Sequence, residues 1–273
     1  MNFTYTHLED FSEDILSKAQ SGLQLTNREL AERSGIELGL LKSLKSGEVD
    51  EEAISAVAEQ LNLDSKTLIQ SAQKAWLPNP IELTKGRVFV SHFRSMDVNA
   101  YLFYSNDGGA VLFDTGVDAA PILEFLSKNQ LELVGVVLTH GHPDHVAALP
   151  SLLGAFPDCP VYAHPIEKIA GTQPIEWQQK VDVGPFSLDC LSTPGHTPGG
   201  TSFRFDSPDG PICVVGDAIF AGSVGGCAAD YANALRSISR NLLSLDPETI
   251  LCPGHGPLTT VAEEKKNNPF FAG

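Results

Sequence analysis

The feature that most constrains this chain is a dense run of ligand-type side chains at the end of an apolar stretch. Val134-Gly135-Val136-Val137-Leu138 leads directly into Thr139-His140-Gly141-His142-Pro143-Asp144-His145. A continuous apolar run of that length reads as a strand buried on both faces. The loop leaving such a strand starts from a rigid base, where functional side chains collect. Three imidazoles and one carboxylate so close together cannot all rest in a core without partners. A shared cation answers that need, because imidazole and carboxylate are ligands for Zn, Fe and Mn. Gly141 leaves the backbone free to turn tightly, and Pro143 stiffens it.

Further candidates follow the same pattern along the chain. Asp114 ends a strand in LFDTG, His196 lies in TPGHTPGG, Asp217 ends a strand in VVGDAIF, and His255 lies in CPGHGP. Taken in order with His-x-His-x-Asp-His, they resemble the metallo-β-lactamase superfamily over about residues 83–270. The resemblance implies an α/β fold, the αββα sandwich, carrying two divalent metal ions: zinc, with iron or manganese as alternatives. In the family pattern His140, His142 and His196 hold the first ion, and Asp144, His145 and His255 the second. Asp217 bridges both together with a hydroxide, Asp114 orients the site, and Asp144 also handles the proton. Two ions roughly 3.5–4 Å apart lower the pKa of a shared water and polarise a substrate carbonyl. His7, His92 and His164 fall outside the pattern and read as ordinary surface or satisfied histidines.

Matches and departures narrow the branch. His142 fills a slot that is acidic in the family's diiron oxygen and nitric oxide reductases, and Asp217 stands where the secreted zinc β-lactamases carry cysteine. GDAIFAGSVGG and ILCPGHGPLTTVAEEKKNNPFF resemble the shorter bacterial relatives of glyoxalase II, which lack its long C-terminal helical domain. The reaction this implies is hydrolysis of a small ester or thioester by a metal-activated hydroxide. The chain departs from those relatives at Gly226 and Cys227, where they often carry Arg and Asp. Lys265 and Lys266 read as a solvated helix turn, and Cys227 as structural. Alternatives are a persulfide dioxygenase with one Fe(II) on His140, His196 and Asp217, a lactonase, or a metal- or ligand-sensing DNA-binding regulator.

The chain changes character at Trp76-Leu77-Pro78-Asn79-Pro80, which places a boundary between residues 1–77 and 78–273. Ahead of it the sequence reads as short amphipathic helices. Thr26 and Glu29 make a capping box, and Gly35 and Gly47 stop successive helices. Residues 22–72 resemble the helix-turn-helix domain of the Cro/C1 repressor type. The helix that would read DNA offers Glu37, Leu38, Gly39, Leu40 and Leu41, with Lys42 and Lys45 as its cations. Residues 1–76 hold 13 Asp and Glu against 7 Lys and Arg. Nucleic acid is therefore not the expected partner. The expected role is packing on the enzyme or on a second copy, with Leu38, Leu40 and Leu41 as the surface for a homo-oligomer.

The whole chain of 273 residues carries a formal net charge of −16, which repels polyanions and anionic membranes. No apolar run reaches the ~18 residues a membrane span needs. The acidic N-terminus lacks a secretory core, and the five cysteines are scattered. The expectation is a cytoplasmic enzyme with free thiols, acting on a small molecule.

Overall fold

The computed structural model describes residues 5–227 and 230–272. The chain begins with five helices: α1 (Ser12–Gly22), α2 (Asn27–Ser34), α3 (Leu38–Leu44), α4 (Glu51–Leu61) and α5 (Ser65–Ala72). Local chemistry sets their ends. At α2 the Thr26 hydroxyl accepts from the Glu29 N–H at 3.2 Å, and the Glu29 carboxylate accepts from the Thr26 N–H at 2.8 Å. Gly35 closes this helix in the left-handed region at φ 67°, and Gly47 follows α3 at φ 89°. Ile15, Leu16, Leu30, Leu41, Ile54, Val57 and Leu68 form one apolar cluster shared by all five helices. Leu41 is thus core, so it cannot serve the interface expected of it; Leu38 is exposed and Leu40 half-buried. Lys45, one of the two cations expected on that helix, caps α3 and donates to Gln20 at 2.7 Å and Asn27 at 3.3 Å.

The remainder alternates strands and helices. In order come β1 (Gly86–Phe93), β2 (Met96–Tyr104), β3 (Gly109–Phe113), α6 (Ala120–Lys128), β4 (Glu132–Val137), α7 (Pro143–Val146), α8 (Leu149–Ala155), β5 (Val161–Ala163) and β6 (Gln173–Pro174). They are followed by β7 (Lys180–Val183), β8 (Phe186–Ser192), β9 (Thr201–Ser207), β10 (Gly210–Gly216), β11 (Ile219–Phe220), β12 (Ser223–Val224), α9 (Tyr231–Asn241), β13 (Ile250–Pro253), β14 (Thr259–Thr260) and α10 (Val261–Asn267). One sheet has the order β1-β2-β3-β4-β5-β6 and the other β14-β13-β10-β9-β8-β7, while β11 and β12 form a small hairpin. Pro150 lies in the first turn of α8, where its missing N–H costs nothing.

Alternation along the strands explains the layering. On β2, Tyr101 and Phe103 point between the sheets, while Ala100 and Leu102 point to the outer layer with Ile122, Leu126 and Leu152. The inner layer is aromatic: Phe113 stacks on Phe205 at 5.4 Å between centroids, and Phe103 meets Phe205 edge-on at 4.9 Å. Removing one such ring, as in Phe113→Ala, costs about 3–5 kcal/mol. A third layer packs Ile238 and Leu242 of the α9 region and Val261 of α10 behind β10 and β13. Helices thus cover both outer faces of two stacked sheets, the αββα arrangement expected from the sequence.

Candidate metal centre

Five strands deliver the site from their carboxyl ends. The turn after β3 presents Asp114, the loop after β4 presents His140 and His142, and that after β8 presents His196. Asp217 follows β10 directly. The short helix α7 adds Asp144 and His145, and the loop after β13 adds His255. The ligand atoms of His140, His142 and His196 lie within 4.8 Å of one another, as do those of Asp144, His145 and His255. Asp217 stands between the two groups. Its Oδ2 is 3.2 Å from His196 Nε2 and 3.4 Å from His255 Nε2, and its Oδ1 is 3.3 Å from His145 Nε2. All seven side chains proposed from the sequence converge here.

Hydrogen bonds behind the imidazoles aim them. His145 Nδ1 donates to Asp114 Oδ2 at 2.9 Å, His255 Nδ1 to the Asp97 carbonyl at 2.6 Å, and His196 Nδ1 to the Gly226 carbonyl at 3.1 Å. These partners can only accept, so an Nδ1 proton faces each of them and each Nε2 faces the centre. His140 Nδ1 meets the Thr139 hydroxyl at 3.0 Å, and that hydroxyl donates to Asp114 Oδ2 at 2.8 Å. Asp114 also accepts from the Thr139 N–H at 2.8 Å, so both its oxygens are engaged and it orients others. Its backbone is left-handed at φ 53°, a conformation Asp tolerates better than most residues.

Several buried atoms then lack a hydrogen-bond partner: His140 Nε2, His145 Nε2 and Asp217 Oδ1. Orphaned lone pairs of this kind are costly in a dry site unless a cation meets them. The chain also clears space for them. A Cβ on Gly254 would sit 2.1 Å from Asp217 Oδ1 and 2.6 Å from His145 Cε1, so only glycine fits. Imidazole nitrogens, carboxylate oxygens and open geometry together suit two divalent ions.

Charge divides the site. Burial pushes His140 down, and the neighbouring His145 adds to the effect. Burial also pushes His196 down, against the pull of Asp217. Burial acts the same way on His145, but the Asp217 and Asp114 carboxylates prevail and lift it to about 10. His255 is lifted to about 11 against burial by its bonds to Asp144 and Asp217. Asp144 is pushed up by burial, yet His255 and His145 hold it below the ordinary carboxylate range.

One positioning side chain was invisible to motif reading. Glu167, in a single 3-10 turn at Pro165–Glu167, accepts from the Gly141 N–H at 2.8 Å and from the Gly199 N–H at 2.7 Å. One carboxylate therefore ties the His140–His142 loop to the His196 loop. A Cβ on Gly199 would lie 2.7 Å from Glu167 Oε1, so glycine is needed for this approach. The histidines expected to stand apart do so: His164 is buried and stacks on Trp177 at 4.3 Å, and His92 projects into solvent beside Asp97. Lys265 and Lys266 occupy the last turn of α10 and are exposed. A separate, mostly apolar cavity of about 450 Å³ lies beyond the His255 loop, between Ile81, Val88, Tyr101 and Leu258, and includes no candidate ligand.

The pattern of the metallo-beta-lactamase superfamily matches residues 95–255, which include every candidate ligand. The chain belongs to that superfamily. It is 32% identical over 202 residues to the "Probable metallo-hydrolase YqgX" of Bacillus subtilis, a match covering 65% of this chain and 94% of the relative. It is 29% identical over 197 residues to "Hydroxyacylglutathione hydrolase GloC" of Haemophilus influenzae, covering 63% of this chain and 92% of the relative. Among solved structures, ETHE1 from Myxococcus xanthus superimposes with a TM-score of 0.59 at 26% identity, over 68% of this chain and 84% of that one. Members of the superfamily bind divalent metals, and this chain is a metallo-hydrolase-type member. No helix among the described residues is long and apolar enough to cross a membrane.

Proposed function

We propose that this superfamily member hydrolyses a small thioester or ester, in the manner of the glyoxalase II-like hydroxyacylglutathione hydrolases. The observation that carries the reading is Asp217, whose two oxygens face His196 and His255 on one side and His145 on the other. His140, His142 and His196 would hold one ion, Asp144, His145 and His255 the other, with Asp217 between. Two divalent ions there would supply a water of lowered pKa and Lewis-acid polarisation of the carbonyl. Zinc is the proposed metal, with iron or manganese accepted by the same donors.

The protein's own groups do the rest. Asp114 and the Asp97 carbonyl fix the ring orientations of His145 and His255, so that each Nε2 faces the site. Asp144 Oδ2, 3.4 Å from His255 Nε2 and kept ionised, is placed to take a proton from the attacking water. The acyl carbon gains that water's oxygen, the carbon–sulfur bond breaks, and the departing thiolate takes the proton. No serine or cysteine nucleophile is needed. The likeness to GloC supports this substrate class.

A second reading is a persulfide dioxygenase using one iron, favoured by the likeness to ETHE1. The helical region, residues 1–77, is proposed to be a helix-turn-helix-like domain ahead of the metallo-β-lactamase-fold domain at 78–273 and not to bind nucleic acid. Self-association through it and a cytoplasmic location are further proposals. Elemental analysis of protein purified without added metal separates the enzyme readings, with S-lactoylglutathione hydrolysis and oxygen uptake on glutathione persulfide measured on the same sample. About two ions per chain with thioester turnover supports the hydrolase; about one iron with oxygen uptake selects the dioxygenase. No metal after addition of Zn or Fe overturns both.

A further inference from the structure

Residues 5–18 lie far ahead of the superfamily match, yet they reach two loops of the metal centre. Asn99, fully buried in β2, is the link to the first. Its side-chain nitrogen donates to the carbonyls of Pro253 at 3.0 Å and Gly256 at 2.9 Å, and its backbone N–H donates to Gly254 at 2.8 Å. These contacts enclose His255 on both sides. Carbonyl partners require the amide nitrogen to face them, so Asn99 Oδ1 points away and needs a donor. Tyr5 supplies it, with its O–H 2.5 Å from that oxygen. Burial pushes the Tyr5 phenol up, so it stays protonated as a donor.

Other contacts run the same way. A Cβ on Gly256 would lie 3.2 Å from both the nitrogen and the Cβ of Glu9, so the N-terminal segment lies flush on the His255 loop. Lys18 reaches the hairpin beyond Asp217. Its Nζ donates to the Val224 carbonyl at 2.9 Å and stands 4.8 Å from the Phe220 ring centroid. That ring in turn meets His255 edge-on, at 5.5 Å between centroids.

We propose that the segment from Tyr5 to Lys18 is a working part of the metal centre, and that Tyr5, acting through Asn99, is a positioning residue for His255. The inference rests on His255 holding the second ion, as in the reading above. Without the Tyr5 hydroxyl, Asn99 Oδ1 has no donor among the described residues, and a buried acceptor left unpaired favours a shift of the amide that weakens its bonds to the 253–256 loop. The His255 loop is then held less firmly, by the Asn99 N–H on Gly254, the Tyr101 hydroxyl on Pro253 and the Asp97 carbonyl on the ring. The first triad is carried by other loops and is not touched by this chain of contacts.

The test is chelator competition with Zn(II) on the full-length protein, comparing wild type, Tyr5→Phe and Ile69→Ala, with apo-protein melting measured alongside. Ile69→Ala loosens the helical core without touching Asn99. The expected result for Tyr5→Phe is roughly tenfold weaker binding of one ion, with the other unchanged. Ile69→Ala should lower the melting temperature and move neither constant. Tyr5→Phe with both constants unchanged, or both weakened in parallel, overturns the proposal. So does Ile69→Ala shifting one ion as far as Tyr5→Phe does. A wild type that binds two Zn(II) but turns over no thioester overturns the hydrolase reading alone. A wild type that binds no Zn(II) overturns both.

Discussion

The two triads sit side by side but are built differently. Of the first, His140 is buried while His142 and His196 are half-buried; all three members of the second, Asp144, His145 and His255, are buried. The first hangs on two loops tied across by Glu167. The second is locked from behind by Asp114, the Asp97 carbonyl and Asn99. Their charges differ too, with His140 and His196 held down and His145 and His255 held up. The lesson is a division of labour within one centre. The first triad faces the more accessible side, and the second is part of the core.

The largest expected effect would break the first triad at a half-buried member. His142→Ala should lower kcat by roughly 100-fold or more, beyond the 10–100-fold typical of losing a group behind a ligand, while the fold persists. Near-normal turnover with normal metal content would refute its role. Asp217→Asn should reduce bound metal at both positions, because it neutralises the carboxylate both triads share; elemental analysis showing unchanged stoichiometry would remove the bridge.

A paired experiment sharpens the comparison. Asp114→Ala frees His145 directly and loosens His140 through Thr139, so it should weaken the second ion most, by about 10–100-fold, and the first less. Glu167→Ala unties two N–H groups and should weaken the first, by about tenfold. It should also cost about 1–3 kcal/mol of stability. Competition titrations in which each variant disturbs the opposite ion more than its own, or both equally, would show that the triads are not separately supported.

One further effect concerns stability alone and lies away from either triad. Burial lifts the Glu264 carboxyl from 4.5 to about 7, despite donors from Thr259, Asn268 and Gly222. A folded-state pKa raised above the unfolded one means the folded protein binds the proton more tightly. Stability is then fullest below about pH 4.5 and declines as pH rises through about 7. Glu264→Gln keeps the shape and its hydrogen bonds, with the Thr259 hydroxyl reversed to accept. It should remove most of that decline, on the order of 3 kcal/mol. Melting curves at pH 5 and pH 8 with the same slope in both proteins would sink this assignment, while metal content should not change.

What the sequence determined by itself was whatever rests on local or repeated pattern. His140, His142, Asp144 and His145 are close in sequence, and the β4 run that carries them is apolar without a break, so motif and strand announce each other. Thr26 and Glu29 cap a helix through bonds spanning three residues. His196, Asp217 and His255 became legible only in their order along the chain. The tertiary structure alone decided which groups stand behind the ligands. Glu167 looks like any surface acid until two loops bring N–H groups to it, and the anchor of His255 is a backbone carbonyl that no side-chain pattern encodes. Leu41 and Lys45 read as exposed from their helix and are claimed by partners on other helices. Tyr5 and Asn99 are 94 residues apart and share no motif. Local bonds are written in spacing, whereas a hydrogen bond across the fold depends on where two buried surfaces meet, which is set by packing of the whole chain.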